Sequence, residues 1–340
     1  MSGREPPSIW WFAFGYFATY APYSALTKAL SIGALPGIPA VDGVSLLPLS
    51  TFASMVSMFL CITALGWWKY AGQKTLLGRS WPWPRWRTLA SGACTALIIV
   101  TTTLAYTFEG ISIVLAMLLM RGGLLVMAPV VDLLTRRKVK LPSVIALVLS
   151  LAALLLGFST DGGLKLSAAA AMDIAVYLAA YFIRLRIMSG AAKSEDSAAN
   201  TRYFVEEQMV ATPLVVLVLT TWALLGSGTF AAGLHHGLVD VPFTSAALLV
   251  VGVGLFSQGT GIFGGLVLLD KRENTFTIPV NRASSILAGL VATVALWALL
   301  GGRAPNGTEL GGAALILLAI GVLSADSMMK ARARSAAKVG

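Results

Sequence analysis

Ten long apolar segments leave this chain little freedom in what it can fold into: residues 9–30, 44–68, 89–106, 110–131, 141–158, 166–183, 210–225, 243–269, 276–300 and 311–325. A helix rising about 1.5 Å per residue needs roughly 20 apolar residues to cross a hydrocarbon core about 30 Å thick. Lipid offers no partner to an unpaired amide, and runs of this length are too long for barrel strands, so the segments are read as helices. Composition agrees, since 57% of the 340 residues are hydrophobic and only 12% are charged, outside the range of soluble domains. The expected fold is an all-α integral membrane protein with ten transmembrane helices.

The first segment exceeds a signal-peptide core, has Arg4 and Glu5 at its flank and is followed by no convincing cleavage site, so it is read as retained. Cys61 and Cys94 fall inside predicted helices at a spacing that suits neither a metal nor a redox motif, and they are read as packing residues. The net charge of +10 suggests nucleic acid only until its distribution is considered. With a cytoplasmic N-terminus, 20 basic residues fall in inside connections, among them the runs from Lys69 to Arg87, Arg136 to Lys140 and Arg184 to Arg202, against Lys28, Lys165 and Arg303 outside. The positive-inside rule then puts both termini in the cytoplasm of a plasma or bacterial inner membrane, with lipids as the partner that the charge addresses.

A shift of 161 residues lays Tyr16 and Tyr20 on Tyr177 and Tyr181, Glu109 on Asp270, and Arg121 on Arg282. Segments one to five map in order onto six to ten, giving a first repeat over residues 1–160, a second over 161–330 and a basic tail over 331–340. Five is odd, so the two copies insert in opposite senses, an inverted-topology repeat. The small, polar stretch from Ser194 to Ala199 is the joint between them.

Two five-helix repeats with both termini cytoplasmic resemble the drug/metabolite transporter superfamily over nearly the whole chain. More locally, Leu119-Met120-Arg121-Gly122-Gly123, an apolar run and Arg136-Arg137-Lys138 are similar to the fourth helix and basic turn of its nucleotide-sugar and triose-phosphate translocator branch. The resemblance implies a central cavity lined mainly by the third, fourth, eighth and ninth helices, with the first and sixth also facing it. Both intramembrane arginines would then lie on cavity-lining helices. The small residue and Glu-rich turn of the commoner exporters are missing after the fourth segment.

Arg121 lies midway along its segment, too deep to reach the surface easily and about 18 Å from Glu109 by helical rise. It is read either as an anion-binding guanidinium or as a structural group bonded to carbonyls or to Asp173. Arg282, about seven residues into its segment, either snorkels or lines a site beside Pro279 and Asn281, where the helix has lost a backbone donor. Tyr16 and Tyr20 in the first segment, and Tyr177 and Tyr181 in the sixth, share helix faces as ligand-binding groups or as interfacial anchors. Gln258, with Ser257 and Thr260, adds hydrogen-bonding capacity in the eighth segment. Asp173 is the acid set deepest in an apolar stretch, a proton-coupling group or a charge partner for Arg121. Glu206 and Glu207 are read as a solvated helix start, His235 and His236 as loop residues without metal, and Asn306-Gly307-Thr308 as a formal glycosylation triplet.

No Walker motif and no catalytic constellation is evident, so neither ATP-driven transport nor an enzyme is expected, and no cofactor or metal is implied. The reading is secondary transport of a small phosphate- or carboxylate-bearing anion by alternating access. The competing readings are export of neutral or zwitterionic metabolites or amino acids, and lipid flipping.

Overall fold

The computed structural model describes residues 8–76, 78–104, 113–158, 168–194, 196–301, 304–305 and 307–339, with backbone alone at 76, 103–104, 113–119, 157–158, 169, 309, 324 and 326–339. Arg4, Glu109, Lys165, Arg303 and Asn306 lie outside the described residues, as do the side chains of Leu119 and of the basic tail. The helices are α1 (Ile9–Ser31), α2 (Gly43–Ala64), α3 (Trp86–Leu104), α4 (Ile113–Leu134), α5 (Leu141–Phe158), α6 (Ala168–Ala191), α7 (Ser197–Leu225), α8 (Thr229–Val239), α9 (Ala247–Leu268), α10 (Asn274–Leu300) and α11 (Gly307–Val339).

Among the described residues, α2, α6, α7, α9 and α10 are long and apolar enough to cross a membrane. Many of their large apolar side chains point outward, Leu225 at 82% and Leu248 at 83% exposure, as expected of surfaces that meet lipid rather than water. The mostly helical, multi-pass membrane expectation therefore stands. It omitted one element, an antiparallel hairpin between α2 and α3 that pairs β1 (Gln73–Leu76) with β2 (Arg79–Pro82). Residues 235 and 236, expected in a loop, belong to α8, where His236 Nδ1 meets Asp240 at 2.9 Å.

Helix packing follows a crossed pattern. α1 packs against α9 and α10, whereas α6 packs against α3 and α4; α2 lies along α9, α3 along α7, and α5 along α11. Close approach depends on small residues, as at the α2–α9 crossing. There Ser54 Oγ donates to the Gly254 carbonyl at 2.7 Å, and a Cβ on Gly254 would collide with the Ser50 carbonyl oxygen.

One end of the bundle is closed by polar groups. Asp132, at the end of α4, accepts from the backbone N–H and side-chain amide of Asn274 and from the N–H and hydroxyl of Thr275, at 2.7–2.8 Å. The first amides of α10 lack intrahelical acceptors, and a carboxylate from another helix satisfies them while complementing the helix dipole. Glu273 accepts from Ser143 at 2.8 Å, and Arg137 donates to the carbonyls of Lys271, Ser189 and Lys193.

Lys193, counted among the solvent-facing basic residues from sequence, is buried here. Its ammonium donates to Leu268 O, Asn274 Oδ1 and Thr277 Oγ1 at 2.9–3.2 Å, and its backbone is left-handed at φ 57°. Burial, and next the Arg137 guanidinium, lower its pKa from 10.5 to about 7, against the opposing pull of Asp132, Asp270 and Glu273.

The Asp132 clamp gives a first test. Asp132→Asn keeps the side chain's shape but removes one carboxylate oxygen from a four-donor site, and should cost about 3 kcal/mol, read as a lower thermal-unfolding midpoint in detergent. An unchanged midpoint would show that the clamp carries no stability. A second test concerns Lys193, which releases its proton near pH 7 when folded and near 10.5 when unfolded. The unfolded chain binds the extra proton between those values, so stability should rise with pH across that window. Lys193→Gln should flatten the rise; an identical slope in both proteins would assign it to other groups.

Candidate functional site

The tyrosine ladders expected from sequence do form. On α1 the rings of Tyr16, Tyr20 and Tyr23 stack edgewise at centroid separations of 5.5 and 5.7 Å, and on α6 those of Tyr177 and Tyr181 lie 4.9 Å apart. Each ladder meets an arginine from another helix. Arg121 Nη2 of α4 donates to the Tyr20 hydroxyl at 3.1 Å, and Arg282 Nη2 of α10 donates to the Tyr181 hydroxyl at 3.3 Å. Both bonds span 101 residues, and both their members are offset by the same 161 positions. Tyr16, stacked on Tyr20, and Arg282 with its partner Tyr181 line one cavity, which brings the two pairs into one cluster.

A cavity of about 270 Å³ opens beside this cluster, among α1, α2, α3, α6, α7, α9 and α10. Of the residues singled out from sequence, Tyr16, Tyr181, Ser257, Gln258, Thr260, Asn281 and Arg282 line it, whereas Tyr20, Tyr177 and Arg121 do not. The close approach of three helices at the wall requires a glycine: a Cβ on Gly264 would lie 2.9 Å from the Tyr16 ring and 3.2 Å from Asn281 Nδ2. Asn281 is held by a bond of 3.3 Å to the Gly264 carbonyl. Pro279, two residues earlier, has no N–H to offer within α10, so the helix carries a break in its hydrogen bonding beside the cavity.

The snorkelling alternative for Arg282 does not hold, because the residue is only 8% exposed. Among the described residues its Nε is buried without an acceptor, and no carboxylate lies within 4.0 Å of its guanidinium. The other arginine at the cavity is different. Arg184 forms a two-pronged ion pair with Glu207, Nε to Oε1 at 2.7 Å and Nη2 to Oε2 at 2.9 Å. Ser91 and Thr95 of α3 also donate to Glu207, while Tyr203 bonds both Ser91 and Glu207. The cavity wall thus holds one neutralised guanidinium and one that retains its charge.

Glu206 and Glu207 correct the expectation of a solvated helix start. Glu206 is fully buried and Glu207 is 1% exposed. α7 begins at Ser197, about thirteen residues before the apolar run expected to mark it, so the acid pair lies inside the helix and faces α3 and α6. Glu206 accepts from the amides of Gly72 and Arg85, from Arg85 Nε and from Thr88. A sequence signal for this network existed in Tyr203 and Glu207 at i, i+4, but its partners on α3 lie 112–116 residues away.

Asp173 is 7% exposed in the first turns of α6, and its Oδ2 has no hydrogen-bond partner among the described residues. No ion pair within 4.0 Å joins it to Arg121 or Arg282, so it is not their direct charge partner in this conformation. Nor is it the one acid set among apolar helices, since Asp132 and Glu207 are buried more deeply.

No known family profile matches this chain, and no curated protein matches it. A solved structure described only as "Crystal structure of protein" superimposes with a TM-score of 0.55 over 95% of this chain and 97% of that one, at 13% identity, a likeness of fold alone.

Proposed function

We propose that the protein is a ten-span secondary transporter of a small organic anion, working by alternating access between two inverted five-helix repeats. The observation that carries this reading is Arg282, a buried guanidinium on a cavity wall with one unsatisfied N–H and no carboxylate beside it. An arginine in an apolar bundle is costly unless water, a partner or an anion answers its charge. The planar donor fork suits carboxylate or phosphate, with Tyr16, Tyr181, Gln258 and Asn281 available for the rest of the solute. A volume of about 270 Å³ is small for a drug-sized ligand and suits a compact metabolite.

The repeat is supported by the crossed packing and by the equivalent Tyr20–Arg121 and Tyr181–Arg282 bonds. Exchanging α1–α5 with α6, α7, α9, α10 and α11 in order leaves the set of packed pairs described above unchanged. Arg121 is the counterpart of Arg282 in the other half, bonded to the first tyrosine ladder, and we assign it to the same site in the alternate conformation. The superfamily suggested by sequence supplies the same architecture. The networks around Asp132 and Glu207 seal one end of the bundle, which we place in the cytoplasm together with both termini. Transport requires these networks to loosen when that end opens.

In proteoliposomes, Arg282→Gln should insert and fold yet lower uptake of phosphate- or carboxylate-bearing solutes by about 10- to 100-fold, the worth of one lost charge-assisted contact. Arg282→Lys should recover only part of it, because the fork geometry is gone. Folded Arg282→Gln protein with wild-type anion uptake would remove the anion preference; uptake of zwitterions alone by the wild type would favour the exporter reading. The repeat is tested separately with Arg121→Gln, which should lower uptake comparably while leaving Arg282 in place. Full activity in that variant would remove Arg121 from the site and, with it, the functional equivalence of the two arginines.

A further inference from the structure

The stretch from the hairpin into the start of α3 has no part in the cavity before Thr95, yet it is rich in basic and indole side chains and free of acids. From Gln73 to Arg87 the chain carries Lys74, Arg79, Arg85 and Arg87 and no acid, interleaved with Trp81, Trp83 and Trp86. The three indoles are 54%, 49% and 74% exposed. Lys74 Nζ sits 4.8 Å from the Trp83 ring centroid, and the Arg87 guanidinium 5.5 Å from that of Trp86. A recess of about 670 Å³ lies between these pairs, walled also by Arg85 and by Ala191, the last residue of α6.

Two facts restrict what this recess accepts. Its nearby carboxylate, Glu206, is fully buried and saturated by Gly72, Arg85 and Thr88, so it cancels Arg85 but leaves Lys74 and Arg87 with no carboxylate within 4.0 Å among the described residues. Its position is set by α2, which ends at Ala64 just before the hairpin, and by the end of α6, both helices of membrane-crossing length. The recess therefore opens at the level where spans end. Indoles concentrate at that depth because the ring is apolar and its N–H is not, and lysine and arginine there meet the negative surface of anionic lipids.

We propose that this recess binds the phosphodiester headgroup of an anionic phospholipid, with Lys74 and Arg87 on the phosphate, Trp83 and Trp86 against the glycerol and upper acyl groups, and the exposed Trp81 beside the recess among neighbouring lipids. The site does not depend on what the central cavity carries. It is joined to that cavity, because Arg85 and Gly72 hold Glu206 while the adjacent Glu207 holds Arg184 at the cavity wall.

The test uses the full chain in nanodiscs, comparing tryptophan quenching by brominated phosphatidylglycerol with quenching by brominated phosphatidylcholine. The hairpin's share is obtained by subtracting a Trp81→Phe, Trp83→Phe, Trp86→Phe variant. Wild-type protein should prefer the anionic lipid by about tenfold at these indoles. Lys74→Gln with Arg87→Gln should abolish the preference while leaving quenching by the neutral lipid, whereas Arg79→Gln, outside the recess, should keep most of it. Equal quenching by both lipids in the wild type would reduce the indoles to simple anchors and overturn the proposal. Relief of quenching by soluble glycerol phosphate would overturn it too, by showing a site for a dissolved anion. An Arg79→Gln loss equal to that of the double variant would replace a site with diffuse surface charge.

Discussion

A charge inside a bundle surrounded by lipid must be answered by another charge, by a full set of hydrogen bonds or by something that enters from outside. The protein meets that constraint almost everywhere. Asp132 has four donors, Glu206 has the Gly72 and Arg85 groups and Thr88, and Glu207 has both prongs of Arg184. Lys193 saturates its ammonium on a carbonyl, an amide oxygen and a hydroxyl. Against that background two buried charges are incompletely answered among the described residues, Asp173 at Oδ2 and Arg282 at Nε, and of these Arg282, bonded to Tyr181, is the one that lines the cavity. The anion reading rests on this contrast rather than on the mere presence of an arginine in an apolar helix.

The helices were legible because lipid demands long apolar runs, and the tyrosine–arginine pattern was legible because its members recur at one offset. The closed end was not. Its residues, Glu206, Glu207, Asp132 and Lys193, are charged groups at the edges of apolar runs, where sequence offers solvent as the default surroundings. What buries them is another helix more than a hundred residues away for the acids, and, for Lys193, α9 and α10 some 75 to 84 residues on. The same cause moved the boundaries, since α6 runs on to Ala191 and α7 starts at Ser197 by burying polar turns that hydropathy assigns to a connection. The hairpin escaped notice because four-residue strands rich in lysine, arginine and tryptophan leave no periodic trace.

The two ends of the bundle are held by different physics. At the end carrying Arg137 and Glu273, directional bonds between side chains and helix termini do the closing. At the other end, the turn after α1 and the stretch before α9 meet through Leu30, Val41, Val241 and Val250, an apolar cluster, with Ser45 donating to the Gly233 carbonyl at 3.1 Å. Apolar contacts tolerate sliding, whereas a carboxylate with four short bonds is either engaged or lost. An end locked by the second kind of contact is suited to switching between two discrete arrangements, as alternating access requires.

The proposed symmetry also has an informative break. A shift of 161 positions carries the Arg282–Tyr181 bond onto Arg121–Tyr20, but it carries Arg184 and Glu207 onto Tyr23 and Leu46. The neutralised pair therefore has no counterpart at the shifted positions, and it joins α6 to α7. Inverted halves related by perfect symmetry would make the two ends energetically equivalent. In a protein that alternated as proposed, a charged lock present once would bias the empty state toward the conformation in which that lock is formed. An anion that engages Arg282 near Tyr181, whose ladder lies one helical turn from Arg184, would act on the same wall of the cavity. Under the proposed transport reading, binding and gating would share α6, with Tyr181 and Arg184 one turn apart on it and Arg282 on the same cavity wall.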